Sequence, residues 1–246
     1  MADQKYIVGI DVGGTFTDLL CLDTETQELL SEKVPSIPGR QWEGVLGALE
    51  KLGINYADIR AFVHGTTIAT NALLERKGAK TGLVTTDGFR DTLEIGRTRR
   101  LIGGLFDIKF VRPKPLVSRD LRLEVEERVA ADGEVLKSAN DIDFSSIMDK
   151  FNENGVESIA VAFMNSYRND ENEVAALEKL RAMAGDIPVC SSTGVVPEKG
   201  EFERFSTCVL NAYLTPVISA YLKTLAGELE GQGITAPVNV MGSNGG

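Results

Sequence analysis

Residues 7 to 23 read Ile7-Val-Gly-Ile-Asp11-Val-Gly13-Gly14-Thr15-Phe16-Thr17-Asp18-Leu-Leu-Cys-Leu-Asp23. An apolar strand runs into Asp11, a tight Gly13-Gly14 turn follows with the hydroxyls of Thr15 and Thr17, and a second apolar strand leaves. A hairpin of this kind presents bare backbone N–H groups and hydroxyls to a phosphate, with a carboxylate beside them for a divalent cation. Nucleotide phosphate binding is therefore the leading reading. A dinucleotide fingerprint places its glycines between a strand and a helix. The residues after Gly14 are β-branched and aromatic and predict a strand instead. A Walker loop needs Gly-Lys-Ser/Thr after a spaced glycine, and the nearest string, Gly78-Ala79-Lys80-Thr81, lacks that order. The competing reading is an ordinary hairpin turn that uses glycine for positive φ.

The chain has 246 residues, enough for one large domain or two small ones. Its 43% hydrophobic and 25% charged residues are ordinary for a globular protein. A net charge of −10 argues against a nucleic-acid partner, which wants a basic face. It leaves ATP open, because local N–H groups and a metal set the field at such a site. Cys21, Cys190 and Cys208 are widely spaced and show neither zinc spacing nor a disulfide framework, which suits a reducing cytoplasm. Each reads as a small buried hydrophobe. The N-terminus shows no signal peptide, and no apolar run approaches the roughly 18 residues of a membrane span. A soluble, cytoplasmic protein is expected.

Periodicity predicts strands at Tyr6 to Ile10, Phe16 to Asp23 and Leu29 to Val34, the last closed by Pro35 and Pro38. A helix over Gln41 to Leu52 stops at Gly53. A short buried strand over Ala61 to His64 leads into a helix over Thr66 to Arg76 that Gly78 ends, and a strand covers Thr81 to Thr86. From Asp87 to Glu127 the pattern fades into loops and short strands, with Gly103-Gly104, Pro113 and Pro115. Asp132-Gly133 marks a hairpin within Val125 to Leu136. Helices over Asp141 to Asn154 and Glu171 to Ala184 then alternate with strands over Ser158 to Phe163 and Pro188 to Ser191. A long helix over Glu201 to Glu230, bent or broken near Pro216, precedes a strand over Pro237 to Met241. The segments are a first-lobe phosphate-binding core at 1–86, an inserted loop and hairpin region at 87–136, and a continuation at 137–246. The glycine-rich ending, Gly242-Ser-Asn-Gly-Gly246, leads nowhere, as expected of the N-terminal part of something longer or of a split gene product.

The second conspicuous stretch is Val63-His64-Gly65-Thr66-Thr67-Ile68-Ala69-Thr70-Asn71-Ala72. It reads as a strand ending at the only histidine, a glycine turn, and a helix whose first turn carries hydroxyls. Open α/β sheets bind ligands at such strand ends, and a helix N-terminus exposes unpaired N–H groups. The plainer reading makes the threonine a helix cap and His64 a structural residue.

On these motifs the chain resembles the N-terminal half of the hydantoinase A/5-oxoprolinase family. That family includes N-methylhydantoinases, caprolactamase-like enzymes and the ATP-handling subunits of acetone and acetophenone carboxylases. The resemblance rests on Gly9 to Asp18 and His64 to Arg76 and continues through Leu83 to Arg97, Asn211 to Pro216 and Ser243 to Gly246. The first block is shared with many sugar kinases; the second and third together are specific to the family.

The resemblance implies an α/β fold of the actin/sugar kinase/Hsp70 type, a ribonuclease H-like ATPase lobe with a mixed sheet flanked by helices. ATP and Mg2+ are the implied cofactors. Asp11 would orient the hydrated magnesium; Gly13, Gly14, Thr15 and Thr17 would contact phosphate; Asp18 would assist the metal or hold the turn. His64, Gly65, Thr66 and Thr67 would lie near the cleft, with Asp11 and His64 as the catalytic pair. Relatives often carry His-Ser-Tyr where this chain has Asn165-Ser166-Tyr167, which leaves that imidazole's role without a counterpart here. The implied activity is ATP-dependent hydrolysis of a cyclic amide such as a hydantoin, oxoproline or lactam, with a hydantoinase B-like subunit as partner and an oligomeric assembly. Two alternatives stand beside it: a subunit of an ATP-dependent ketone carboxylase, and a non-catalytic nucleotide-binding or assembly module.

Overall fold

The computed structural model describes residues 4–37, 39–97, 109 and 113–242. The opening hairpin forms from β1 (Tyr6–Val12) and β2 (Phe16–Asp23), paired antiparallel from Tyr6↔Asp23 to Val12↔Thr17. Side chains alternate across a strand. Val8, Ile10 and Val12 therefore share one buried face with Thr17, Leu19 and Cys21, while Asp11 and Asp18 are exposed on the other. At the far end of β2 the Asp23 carboxylate accepts from the amides of Glu25 and Thr26, and this turn feeds β3 (Leu29–Pro35). A helix, α1 (Gln41–Leu52), ends at Gly53, whose φ of 64° closes it as expected. It buries Val45, Ala48 and Leu49 in the same core as the inward face of the hairpin.

Next comes β4 (Ile59–Thr66), parallel to β1, and β11 (Val238–Val240) lies parallel to β4. The five-stranded sheet has the order β11-β4-β1-β2-β3. The strand β4 runs past His64 to Thr66, longer than the expected Ala61 to His64, because Val12 and Thr66 continue the parallel pairing. The following helix, α2 (Ile68–Leu74), is correspondingly short. It stops because Arg76 takes a left-handed φ of 53° and Lys77 donates back to the Ala72 carbonyl. Gly78 is not the stop signal. A Cβ there would sit 2.1 Å from the Tyr213 ring, so this glycine makes room for an aromatic side chain.

A second, four-stranded parallel sheet has the order β10-β9-β5-β6. Its strands are β5 (Thr81–Thr86), β6 (Arg122–Val125), β9 (Ser158–Ala162) and β10 (Val189–Ser191). Every residue of β5 and β9 is buried, as expected of central strands covered on both faces. The short α3 (Thr92–Ile95) precedes β6. A hairpin of β7 (Arg128–Val129) and β8 (Val135–Lys137) forms around Asp132-Gly133, with Gly133 at φ 100°. Two helices, α4 (Ser145–Glu153) and α5 (Glu171–Ala184), bring Phe151, Ala176 and Leu180 into the core, and the short α6 (Ser192–Val195) follows β10.

The long helix α7 (Glu201–Gly231) remains one helix through Pro216. Proline has no N–H to give and crowds the preceding turn, and the nearby Tyr213 carbonyl accepts the Ala79 N–H at 2.9 Å. Among the described residues α7 alone is long and apolar enough to cross a membrane, by length and composition. The expectation that no such run exists fails here: residues 205–222 carry no charge, and Ser206, Thr207, Asn211, Thr215 and Ser219 interrupt their apolar residues. Some of its apolar side chains sit in protein cores: Phe205, Cys208, Val209 and Ala212 in one, Leu225 and Leu229 in the other.

The chain divides into two compact units, residues 1–77 with 217–246, and residues 78–216. These divisions differ from the boundaries drawn at 86/87 and 136/137. Sheet membership is the reason: β11 joins the sheet of β4, whereas β5 and β6 belong to the other. The segment 87–136, expected as an insertion, supplies β6 to that second sheet. Gly103-Gly104, Pro38 and the string 243–246 lie outside the described residues.

The second unit is built around a buried polar network. The fully buried Glu173 accepts from the Phe163 amide (2.9 Å), Ser166 Oγ (3.1 Å), Ser192 Oγ (2.7 Å), the Thr193 amide (2.8 Å) and Thr193 Oγ1 (2.7 Å). The equally buried Arg204 donates to Ser192 Oγ (3.0 Å) and the Phe163 carbonyl (2.6 Å), and packs over the Tyr167 ring. Close by in sequence, the Asn165 amide group donates to the Val129 carbonyl from a backbone at φ 59°. The Asn165-Ser166-Tyr167 string is thus fully engaged in holding the fold. Glu127, pushed up by burial, accepts from Thr86 and Asn172.

Candidate functional site

The site grows from the register of the first sheet. Asp11 lies opposite Asp18 on one side and Gly65 on the other, and Asp18 lies opposite Lys33. Gly65, Asp11, Asp18 and Lys33 therefore form one row across four strands, on a single face. The Asp11 carboxylate is exposed and has no hydrogen-bond or ion-pair partner among the described residues. A Cβ on Gly65 would come within 3.3 Å of Asp11 Oδ1, so the missing side chain leaves that carboxylate its place. Asp18 is engaged: Lys33 Nζ contacts its two oxygens at 2.8 and 3.1 Å.

The glycine turn sits at the end of this row. The Gly13 N–H donates to the Phe16 carbonyl at 3.0 Å. The amides of Gly14 and Thr15 have no partner among the described residues, and both residues are exposed. Neither Gly13 nor Gly14 has a positive φ. The hairpin-turn reading for these glycines thus gives way to a steric one. A Cβ on Gly13 would meet the Phe16 carbonyl at 3.0 Å, and one on Gly14 would meet Asn71 Nδ2 at 3.3 Å. Backbone is laid bare here by close packing.

Thr17 corrects an expectation. Its side chain is fully buried on the opposite face, where Oγ1 and Ser36 Oγ lie 2.9 Å apart beneath α1. Alternation along β2 dictates this: Asp18 faces out, so Thr17 faces in. Its hydroxyl ties β3 to the hairpin and is not presented at the turn.

The second motif divides in the same way. The Thr67 amide donates to the Val12 carbonyl at 3.2 Å, and Asn71 Nδ2 donates to Thr67 Oγ1 at 3.4 Å. Thr67 and Asn71 therefore border the glycine turn. Asn71 was not among the residues selected from sequence; its place one helical turn after Thr67 was the signal. Thr66 Oγ1 accepts the Ile68 amide at 3.2 Å and acts as a local cap. His64 pairs in register with Ile10 and so faces the core, on the side of the sheet away from Asp11. It is fully buried, its Nε2 lies 3.0 Å from the Tyr221 hydroxyl, and Nδ1 has no partner among the described residues. Burial lowers its pKa from 6.5 to about 4 against a smaller opposing pull from Asp11, so the ring is neutral at pH 7. The structure brings Asp11, Asp18, Gly13, Gly14, Thr15, Gly65 and Thr67 to one neighbourhood and turns the Thr17 and His64 side chains to the other face.

This burial sets a pH dependence. Between pH 6.5 and about 4 the unfolded chain takes a proton that folded His64 refuses, so its contribution to stability is full above that window and declines as pH falls through it. The loss reaches about 3 kcal/mol near pH 4. Urea titrations at pH 7 and pH 4 are expected to show a smaller acid-induced loss in His64→Gln than in the unsubstituted protein; equal losses would contradict the buried neutral ring.

No group of three or more His, Cys, Asp or Glu that could hold a metal ion occurs among the described residues. That donor set does not suit a site that cages its ion in protein. Magnesium keeps several waters and is held through one or two carboxylates together with substrate phosphates, a mode that a single exposed carboxylate such as Asp11 would suit.

Residues 7–184 match the hydantoinase/oxoprolinase N-terminal region, and residues 204–246 match the hydantoinase/oxoprolinase domain. The chain belongs to the hydantoinase/oxoprolinase family. Among its relatives, the caprolactamase subunit alpha of Pseudomonas jessenii is 36% identical, over 100% of this chain and 36% of its own. The acetophenone carboxylase gamma subunit of Aromatoleum aromaticum is 34% identical, over 86% of this chain and 31% of its own. The crystal structure of ATP-dependent caprolactamase from Pseudomonas jessenii superposes with a TM-score of 0.87 at 35% identity, covering 98% of this chain and 36% of that one. This family member thus spans about a third of the length of these relatives.

Proposed function

We propose that this chain is the N-terminal, phosphate-holding part of an ATP-dependent cyclic-amide hydrolase. The observation that carries the reading is the meeting, at one end of the first sheet, of the Gly14 and Thr15 amides with the Asp11 carboxylate, none of which has a partner among the described residues. The sheet order and its opening hairpin favour an ATPase lobe of the actin/sugar kinase/Hsp70 type. In this reading the Gly14 and Thr15 amides would donate to the terminal phosphates of ATP, and Asp11 would orient the hydrated magnesium. When bound, Mg-ATP supplies the phosphoryl group that turns a ring carbonyl oxygen into a leaving group. The chain's own groups stabilise the charge on the transferring oxygens. Thr67 and Asn71 flank the turn and hold it open, and Gly65 keeps the carboxylate's place clear. His64, neutral and buried, supports the sheet from behind through Tyr221. A hydantoinase B-like subunit completes the enzyme in this reading, in keeping with relatives named as subunits.

The experiment is ADP release by the complete enzyme with magnesium and a panel of hydantoins, oxoproline and lactams. Stimulation by one ring class is expected. The near-equal identity to the acetophenone carboxylase subunit favours one alternative, an ATP-dependent ketone carboxylase. ATP consumption requiring bicarbonate and a ketone, and indifferent to every cyclic amide, would select it.

A further inference from the structure

Asp11 and Asp18 stand directly opposite each other on one face, an arrangement that like charges disfavour. The next residue in the row offsets one of them. Lys33 Nζ grips both Asp18 oxygens and lies 4.9 Å from the centre of the Phe16 ring. Phe16 closes the glycine turn, since its carbonyl takes the Gly13 N–H. The strand that carries Lys33 is bound to the same turn: the Ser36 N–H donates to the Thr15 carbonyl at 2.9 Å, and Ser36 Oγ meets Thr17 Oγ1. An exposed lysine ordinarily sweeps a wide volume. Here the ammonium lies against the Asp18 carboxylate and the Phe16 ring, on the strand whose end is bound to the glycine turn.

Both side chains are exposed, at 58% and 52%, and an exposed ion pair of this kind adds little stability. We propose that Lys33 is a contact to the terminal phosphoryl group, and that Asp18 is its positioning residue, not a ligand of the metal. The inference rests on the reading that the turn takes the phosphates of ATP. The lysine ammonium has three donors. Two directions are occupied by Asp18, and the third supplies positive charge to the transferring oxygens, where a charge-assisted bond is strongest. The role of Asp18 follows: it aims the ammonium and leaves Asp11 as the carboxylate for the cation.

The test uses the complete enzyme and calorimetric titration with ATP and with ADP, in magnesium, for Lys33→Met, Lys33→Arg, Asp18→Asn and the Lys33→Met/Asp18→Asn pair. Lys33→Met is expected to weaken ATP by roughly tenfold or more, with a much smaller effect on ADP. Lys33→Arg should retain most of the ATP affinity. Asp18→Asn should repeat part of the ATP loss without moving the magnesium concentration for half-saturation, and the double variant should be no worse than Lys33→Met alone. A wild-type ratio of ATP to ADP affinity in Lys33→Met would overturn the lysine's role. A large magnesium shift in Asp18→Asn would make that residue a metal ligand and overturn its positioning role. Asp11→Asn separates the two readings: if its magnesium-dependent ATP turnover and its magnesium concentration for half-saturation are both those of the unsubstituted enzyme, the hairpin reading fails and this inference fails with it. Loss of binding in Asp11→Asn beside an unaffected Lys33→Met would sink the inference alone.

Discussion

Replacing Asp11 with asparagine is expected to abolish magnesium-dependent ATP consumption by the complete enzyme, lowering the rate by roughly a thousandfold or more while leaving the fold intact. Two observations separate the effect on rate from any effect on stability. Asp11 is exposed at the end of β1 and has no hydrogen-bond or ion-pair partner among the described residues, so its removal breaks no contact. A surface substitution of that kind usually changes stability by no more than about 0.5 kcal/mol. Asparagine keeps the shape that Gly65 accommodates and discards only the charge. A hydrated cation held through one carboxylate loses its single fixed protein anchor when that charge goes, and the charge on the transferring oxygens loses the cation's orientation. The measurement is steady-state ADP release at saturating magnesium, with a thermal melt as control. Wild-type-like turnover in this variant would remove the hairpin from the mechanism.

The second large effect falls on the fold. Glu173→Ala is expected to destabilise the protein by about 3–5 kcal/mol, read as a lower urea midpoint. Five donor contacts converge on this fully buried side chain from Phe163, Ser166, Ser192 and Thr193. Alanine would remove the acceptor of the Phe163 and Thr193 amides and of the Ser192 and Thr193 hydroxyls, while Ser166 keeps the Phe163 carbonyl at 3.0 Å; each unsatisfied buried group costs about 1–3 kcal/mol before relaxation. Ser192 also receives Arg204, so the loss spreads to a fully buried guanidinium. Glu173→Gln turns one acceptor into an NH2 group that opposes an existing donor, and it should recover only part of the loss. A midpoint unchanged by Glu173→Ala would show that the network contributes nothing net to stability.

Much of this is legible in the sequence alone. The alternation in residues 6–23 produced the hairpin, Gly53 ended α1, Asp132-Gly133 made the second hairpin, and the family followed from the two glycine–threonine motifs. Thr17 and His64 depart from the expectation for one reason: residue type points to a site, and the face of a strand decides what each side chain meets. Had the period of two been carried through β2 and β4, Thr17 would have been placed inward opposite Val12, and His64 inward beside Ile10. The partners themselves are long-range: Tyr221 lies 157 residues from His64, and no local pattern announces it.

Local chemistry alone determined which segments form strands and helices and which residues could offer N–H groups or charge to a phosphate, because propensity, capping and alternation act over a few neighbouring residues. Only the tertiary structure decided that the strand at 238–240 belongs beside β4, that Lys33 holds Asp18, and that the histidine of the second motif is sealed in a core. Those outcomes depend on register between distant strands and on burial, and both are set when the whole sheet and its covering helices pack together.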